Sequence, residues 1–268
     1  MVLFPNAKVN LGLNIVGKRA DGYHNLETVF YPVNLQDALE VIESAEDGFH
    51  LSGLPVGGNP ADNLCLKAYA TLKNDFPHLP SVNIHLHKVI PMGAGLGGGS
   101  ADGAFMLSLL NIKFQLNLSQ EQLLGYALQL GSDCPFFIIN KPCLATGRGE
   151  NLTPVDVDLS AYKIVLVNAG IHVSTKEAFS KLMPAQPAKS VQSIIAQPIE
   201  TWKDEFTNDF EKNVFEQFSV IKDIKENLYK AGAIYASMTG SGSTVFGVFE
   251  PTADLNFSFP KHYFYKVL

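Results

Sequence analysis

Positive charge is in short supply: 20 lysines and arginines stand against 26 aspartates and glutamates, a net charge of −6. A general binder of nucleic acid or membrane surface carries a basic face, so that class is disfavoured and any anionic ligand has to be held by a local site. Cysteine is scarce too. Cys65, Cys134 and Cys143 form no CxxC pair and no ligand spacing with histidine, which argues against a disulfide framework or a structural zinc site and fits a reducing cytosol. Long apolar runs are missing: stretches such as Phe136 to Ile139 are far too short to span a bilayer. The opening MVLFPNAKVN lacks the basic start and long apolar run of a secretory signal, so a cytoplasmic protein is expected. No repeat and no low-complexity tract is visible, which leaves out solenoids, propellers and disordered arms.

What is present is ordinary globular composition, 46% hydrophobic over 268 residues, enough for one large or two medium domains, of which two are expected. Alternating, β-branched stretches predict strands at Ala7 to Val16, Thr28 to Leu35, Ala38 to Ser44 and Ser81 to Val89, with a helix from Asn63 to Phe76 before the last of these. Helices follow at about Ser100 to Asn111 and Gln120 to Leu130. The second has a capping box in Ser119-Gln120-Glu121-Gln122 and a left-handed stop expected at Gly131. Beyond Gly149 come a strand at Tyr162 to Asn168, a segment Thr175 to Leu182, a Pro-containing connection at 184–198, a helical region at about Asp209 to Lys230, and a strand-turn-strand over Tyr235 to Phe249 interrupted by Gly240-Ser241-Gly242. The expected class is α+β in two domains, residues 1–155 and 156–268.

Residues 91 to 103 read PMGAGLGGGSADG, with five glycines among positions 93 to 99. A P-loop requires Gly-Lys-Ser or Gly-Lys-Thr, and neither follows. Gly93-x-Gly95-x-x-Gly98 satisfies the dinucleotide fingerprint, but Val82-Asn83-Ile84-His85-Leu86-His87 alternates like a strand with one wet face, unlike the doubly covered central strand of a dinucleotide fold. The third reading is a glycine-rich loop running into a helix at about Ser100, with phosphate held on the first N–H groups.

That lysine-free loop resembles the phosphate loop of the GHMP small-molecule kinases. Pro5-Asn6-Ala7-Lys8-Val9-Asn10-Leu11 is similar to the family's N-terminal strand, and Thr239-Gly240-Ser241-Gly242-Ser243 and Leu130-Gly131-Ser132-Asp133-Cys134-Pro135-Phe136-Phe137 to its later motifs. Lys18-Arg19-Ala20-Asp21-Gly22-Tyr23-His24 resembles the element of the branch that phosphorylates 4-diphosphocytidyl-2-C-methyl-D-erythritol. The chain departs from the pattern at Ala94 and Gly103, where the family often has glycine and alanine, and at Asn168-Ala169 in place of a Pro-containing turn. The resemblance implies a two-domain GHMP kinase fold. Its N-terminal part is ribosomal protein S5 domain 2-like and holds ATP and the chemistry; its C-terminal part is a ferredoxin-like α/β sandwich that closes the substrate cleft.

The roles follow from the resemblance and from residue chemistry. Asp133, presented between the Gly131 stop and Pro135, is the expected catalytic base. Lys8, sharing a strand face with Asn10, is expected to keep it ionised. Tyr23 is expected to stack on cytosine and His24 to read its edge, with Asn10, Ser174, Thr175 and Gly240 also on the substrate. The resemblance assigns ATP to Pro91, Met92, Gly93, Ala94, Gly95, Leu96, Gly97, Gly98, Gly99, Ser100 and Ala101, with the loop Gly93 to Ser100 on the phosphates, and to Asn63, Leu64 and Lys88 at the adenosine end. Mg²⁺ is expected as counter-ion near Ser100. Mevalonate or homoserine kinase is the nearest alternative, and a non-catalytic RNA-binding module a more distant one. The expected partners are small molecules, with no nucleic acid or membrane.

Overall fold

The computed structural model describes residues 1–180, 182 and 184–268. In chain order the strands are β1 (Val2–Leu3), β2 (Asn6–Lys18), β3 (His24–Gln36), β4 (Ala38–Glu43), β5 (Gly48–Gly53), β6 (Val82–Lys88), β7 (Cys143–Thr146), β8 (Asn151–Pro154), β9 (Lys163–Asn168), β10 (Tyr235–Met238), β11 (Val245–Phe249) and β12 (Phe264–Val267). The α-helices are α1 (Leu64–Asp75), α2 (Gly98–Lys113), α3 (Gln120–Leu130), α4 (Cys134–Ile139), α5 (Thr175–Ser180), α6 (Val191–Ile195), α7 (Trp202–Glu205), α8 (Phe210–Gln217) and α9 (Ser219–Lys230). The chain forms two compact units that interleave in sequence. One comprises Met1–Lys8, Pro32–Met92 and Gly97–Lys141, the other Val9–Tyr31, Gly93–Leu96 and Pro142–Leu268.

In the first unit a sheet of order β1-β4-β6-β5 is mixed: β6 runs antiparallel to β4 and parallel to β5. Along β6, Val82, Ile84, Leu86 and Lys88 are buried while His85 and His87 face water. This is the one-sided strand that the alternation predicts, and it leaves no place for a dinucleotide fold. Helix α1 is capped by Asn63, whose Oδ1 accepts from the Cys65 amide at 2.9 Å. Helix α3 has the full Ser119/Gln122 capping box. Gly131 does not take the left-handed conformation expected of it; its φ of 166° is extended, because the chain goes straight on into α4. Helix α2 begins at Gly98, two residues earlier than predicted, with Gly97 (φ 71°) as its N-cap. Ser100 therefore lies inside the first turn and does not cap it. Nine of its sixteen residues are buried, among them Ala101, Ala104, Leu107 and Leu110, which holds the helix start firmly. Gly103 allows α1 and α2 to approach closely: a Cβ there would lie 2.8 Å from the Leu64 Cβ.

The second unit holds most of the sheet β2-β3-β7-β8 and all of the antiparallel sheet β10-β11-β9-β12. Leu13 and Ile15 share one core cluster with Val165, Val167, Phe210, Val214, Ile221, Ile224, Leu228 and Phe249. The 3.6-residue period places Ile221, Ile224 and Leu228 on the buried stripe of α9. The helical region expected from Asp209 to Lys230 is two helices, because Phe218 (φ −133°, ψ 79°) breaks the turn between α8 and α9. The helix beginning at Thr175 is described to Ser180, and Lys181 lies outside the described residues.

Candidate active site

The glycine stretch adopts a conformation that side chains would block. Gly93, Gly95 and Gly97 have φ of 63°, 79° and 71°. At Gly97 a Cβ would lie 2.9 Å from the Phe137 ring and 3.2 Å from the Lys8 side chain. The amides of Gly98, Gly99 and Ser100 open α2, and its N-terminal dipole end is a natural seat for phosphate. Ser100 hydrogen-bonds the Cys134 thiol, which burial pushes up to about 12.

Lys8 and Asp133 meet beside this turn. The Lys8 ammonium lies 3.9 Å from Asp133 Oδ2; the lysine side chain is 4% exposed and the aspartate 37%. Asp133 stands at the N-cap of α4, yet its side chain makes no capping hydrogen bond there. It is not spent on the turn and is open to a ligand. Burial lowers the Lys8 ammonium below the ordinary lysine value, and the Asp133 charge works against that drop.

In the second unit Asn10 fastens the other glycine turn. Its Oδ1 accepts from the Gly240 amide at 2.9 Å, and its own amide donates to Thr239 Oγ1 at 3.0 Å. That hydroxyl also lies 3.1 Å from the Gly95 carbonyl, and a Cβ on Gly95 would come within 2.1 Å of the Thr239 oxygen. The turn at 239–240 thus backs residues 93–96. Thr175 Oγ1 lies 3.1 Å from Ser241 Oγ, while Ser174 accepts from the Glu177 amide at the start of α5.

Arg19 to His24 form a self-bonded turn. Asp21 accepts from the Tyr23 amide and the Arg19 side chain, and the amide bond first, then the arginine, hold its carboxyl below the usual range. Tyr23 is 57% exposed, with the Arg148 guanidinium 5.1 Å from its ring centre. His24 stacks on Phe179, centroids 4.9 Å apart and planes 22° from parallel.

A GHMP kinase N-terminal domain family model matches residues 63–141 and a GHMP kinase C-terminal model residues 190–257. A protein named 4-diphosphocytidyl-2-C-methyl-D-erythritol kinase, from Bacteroides fragilis, is 56% identical to this chain over 94% of its length and 93% of the relative's. The chain belongs to the GHMP kinases. Among solved structures, a 4-(cytidine 5'-diphospho)-2C-methyl-D-erythritol kinase superposes with a TM-score of 0.81 at 32% identity, covering 92% of this chain and 90% of that one. A homoserine kinase from Cytophaga hutchinsonii superposes with a TM-score of 0.71 at 17% identity, covering 94% and 85%, a likeness of fold alone. The α+β, two-domain GHMP kinase architecture expected from the sequence is the one found.

Two residues expected at the adenosine end of ATP make the following contacts in this GHMP kinase. Asn63 uses its side chain as a helix cap. Lys88 is the last residue of β6. Its ammonium is wholly buried and held by Asp37 and by Asp102, the latter at 2.6 Å. Burial alone would lower the Lys88 value, but the two carboxylates outweigh it and raise it. Burial pushes Asp102 up to about 8 against the pull of Lys88, with Asp37 adding to the rise. Sequence reasoning missed Asp37, Asp102, Phe179, Arg148 and His172, whose ring is 3.5 Å from where a Gly93 Cβ would lie. Only Asp102, inside the glycine motif, carried a local signal. Among the described residues no group of three histidine, cysteine or acidic side chains could hold a metal ion, and no helix is long and apolar enough to cross a membrane. A cavity of about 360 Å³ in the second unit, lined by Asn14, Lys189, Glu205 and Asp209 among others, contains none of the expected site residues.

Proposed function

We propose that this chain transfers the γ-phosphoryl group of ATP to the 2-hydroxyl of 4-diphosphocytidyl-2-C-methyl-D-erythritol, a step of the non-mevalonate route to isoprenoid precursors. The observation that carries the chemistry is the Lys8–Asp133 pair beside the Gly97 turn; the acceptor is supported by the near-full-length relatives that bear this name. Asp133 takes the hydroxyl proton as the new O–P bond forms and the bond to the ADP leaving oxygen breaks. Lys8, its ammonium 3.9 Å from that carboxylate, attracts the developing alkoxide. The amides of Gly98 to Ser100 receive ATP phosphates, with the loop from Pro91 to Ala101 wrapped around them.

Mg²⁺, when bound with ATP, neutralises phosphate charge. The Ser100 hydroxyl, in the first turn of α2, fits the sparse protein donor set of an ion held chiefly by substrate phosphates and water. Tyr23 offers an open ring face to a cytosine and His24, steadied by Phe179, its hydrogen-bonding edge. Asn10, buried with its side chain on Thr28, Thr239 and Gly240, acts on the substrate through the turn it holds, and Ser174 and Thr175 stand at the start of α5. A division near residue 155 falls between the two matched family segments. Free, buried thiols at Cys65, Cys134 and Cys143 accord with work in the cytoplasm.

The test is ADP release from Mg-ATP with the cytidyl substrate, beside mevalonate and homoserine, and phosphorus NMR of the product. Turnover with the cytidyl substrate alone, giving a new phosphomonoester, is the expected result. Turnover with mevalonate or homoserine at a similar rate would overturn the acceptor.

A further inference from the structure

We propose that the buried Asp37–Lys88–Asp102 cluster is a clamp joining the two stems of the glycine-rich loop, and that it sets the loop's grip on the phosphates of ATP. The inference rests on the reading of that loop as the ATP site. Asp37, in the corner between β3 and β4, is 1% exposed. Its Oδ1 accepts from the amides of Val89 at 2.5 Å and Ile90 at 2.9 Å, the last residues before Pro91. That is the incoming stem. Asp102, in the second turn of α2, belongs to the outgoing stem. The Lys88 ammonium hydrogen-bonds both carboxylates and so closes the base of the loop. The stems touch directly as well: the place of a Gly98 Cβ is 2.8 Å from Ile90 Cγ2 and 3.4 Å from Lys88 Nζ.

Between these stems lie three glycines of positive φ, so the chain there has little stiffness of its own and takes its shape from what anchors its ends. Stability alone does not account for the cluster. Apolar residues of similar size commonly serve as well as a buried ion triad. Moreover, Asp102 Oδ1 is buried with no hydrogen-bond partner, a cost with no return in packing. What the cluster supplies is a fixed distance between β6 and α2. Lys88 is thus a positioning residue that acts through the loop, its ammonium facing inward.

Asp102→Leu is the informative change, because it leaves Lys88 and Asp37 as a balanced pair. Removing Lys88 would strand two buried carboxylates. The clamp predicts that Asp102→Leu raises KM for ATP about tenfold or more, with kcat at saturating ATP within about threefold of the native enzyme. Asp102→Asn, which keeps an oxygen for Lys88, is expected to restore KM to within about twofold. If the leucine variant does not fold at the assay temperature, Asp102→Ala is read by the same two constants. A folded Leu or Ala variant with native KM, or one that loses kcat alone, would overturn the clamp, as would an Asn variant as impaired as Leu. A native enzyme with no measurable ATP affinity would overturn the nucleotide reading and the clamp together, an outcome distinct from a native enzyme that binds ATP and variants that bind it equally well.

Discussion

Replacing Gly97 by alanine tests whether the loop and the catalytic pair share one tight turn. Alanine in the left-handed region costs about 1–2 kcal/mol, since Cβ crowds the following carbonyl. The added methyl would also sit 2.9 Å from the Phe137 ring and 3.2 Å from Lys8 Cγ. Phe137 is 3% exposed and has little room to yield, and overpacking of this kind costs about 1–3 kcal/mol. The sum, about 2–5 kcal/mol, corresponds to a fall of roughly 4–20 °C in melting midpoint for a chain of this size. Any displacement of Lys8 from Asp133 adds a loss of kcat. Gly99→Ala is the internal control: its φ is helical, and the nearest atom to its Cβ, Met92 Cε, is at an ordinary 3.5 Å. Thermal melts followed by circular dichroism, with steady-state kinetics at saturating substrates, read both. Equal melting midpoints for Gly97→Ala and Gly99→Ala would show that the Gly97 turn has room for a side chain.

The Lys8 ammonium titrates below the free lysine value, so as pH rises the folded protein gives up this proton before the unfolded chain does. Folding stability from this group therefore rises with pH in the window between the two values, while the charged form needed for catalysis is lost. The kcat profile should accordingly fall on the alkaline side below pH about 10.4, and Lys8→Arg, which stays charged, should lose that limb. A limb unchanged in the arginine variant would contradict this. Phe179→Leu removes the ring under His24 and should raise KM for the cytidyl substrate about 2–12-fold, the worth of an aromatic pair, with KM for ATP unaltered. Gly95→Ala places Cβ 2.1 Å from the Thr239 carbonyl oxygen, so it should lower the melting midpoint by more than Gly99→Ala does.

Much of the fold was legible because its signals are local. The alternation of β6 and the Ser119/Gln122 box of α3 each depend on neighbours within four residues. Strand β5 was not foreseen: Gly-Phe-His-Leu-Ser-Gly is largely exposed and lacks an apolar period, and it pairs only because β6 offers an edge from 35 residues away. The start of α2 was misplaced by two residues because Ser100 looks like a cap, whereas the left-handed Gly97 does the capping. In the site, motif residues such as Lys8 and Asp133 could be named from their runs of sequence. Asp37, Phe179 and Arg148 could not, since each matters through a partner more than 50 residues away that no local pattern encodes.

The most direct test of the central claim is the single-turnover rate of Asp133→Asn with Mg-ATP and 4-diphosphocytidyl-2-C-methyl-D-erythritol, measured beside its affinity for ATP. A rate lower by about 10²-fold or more, the low end for loss of a general base, is expected, with ATP affinity nearly native. A folded variant that phosphorylates the substrate at the native rate would remove Asp133 from the chemistry and contradict the account.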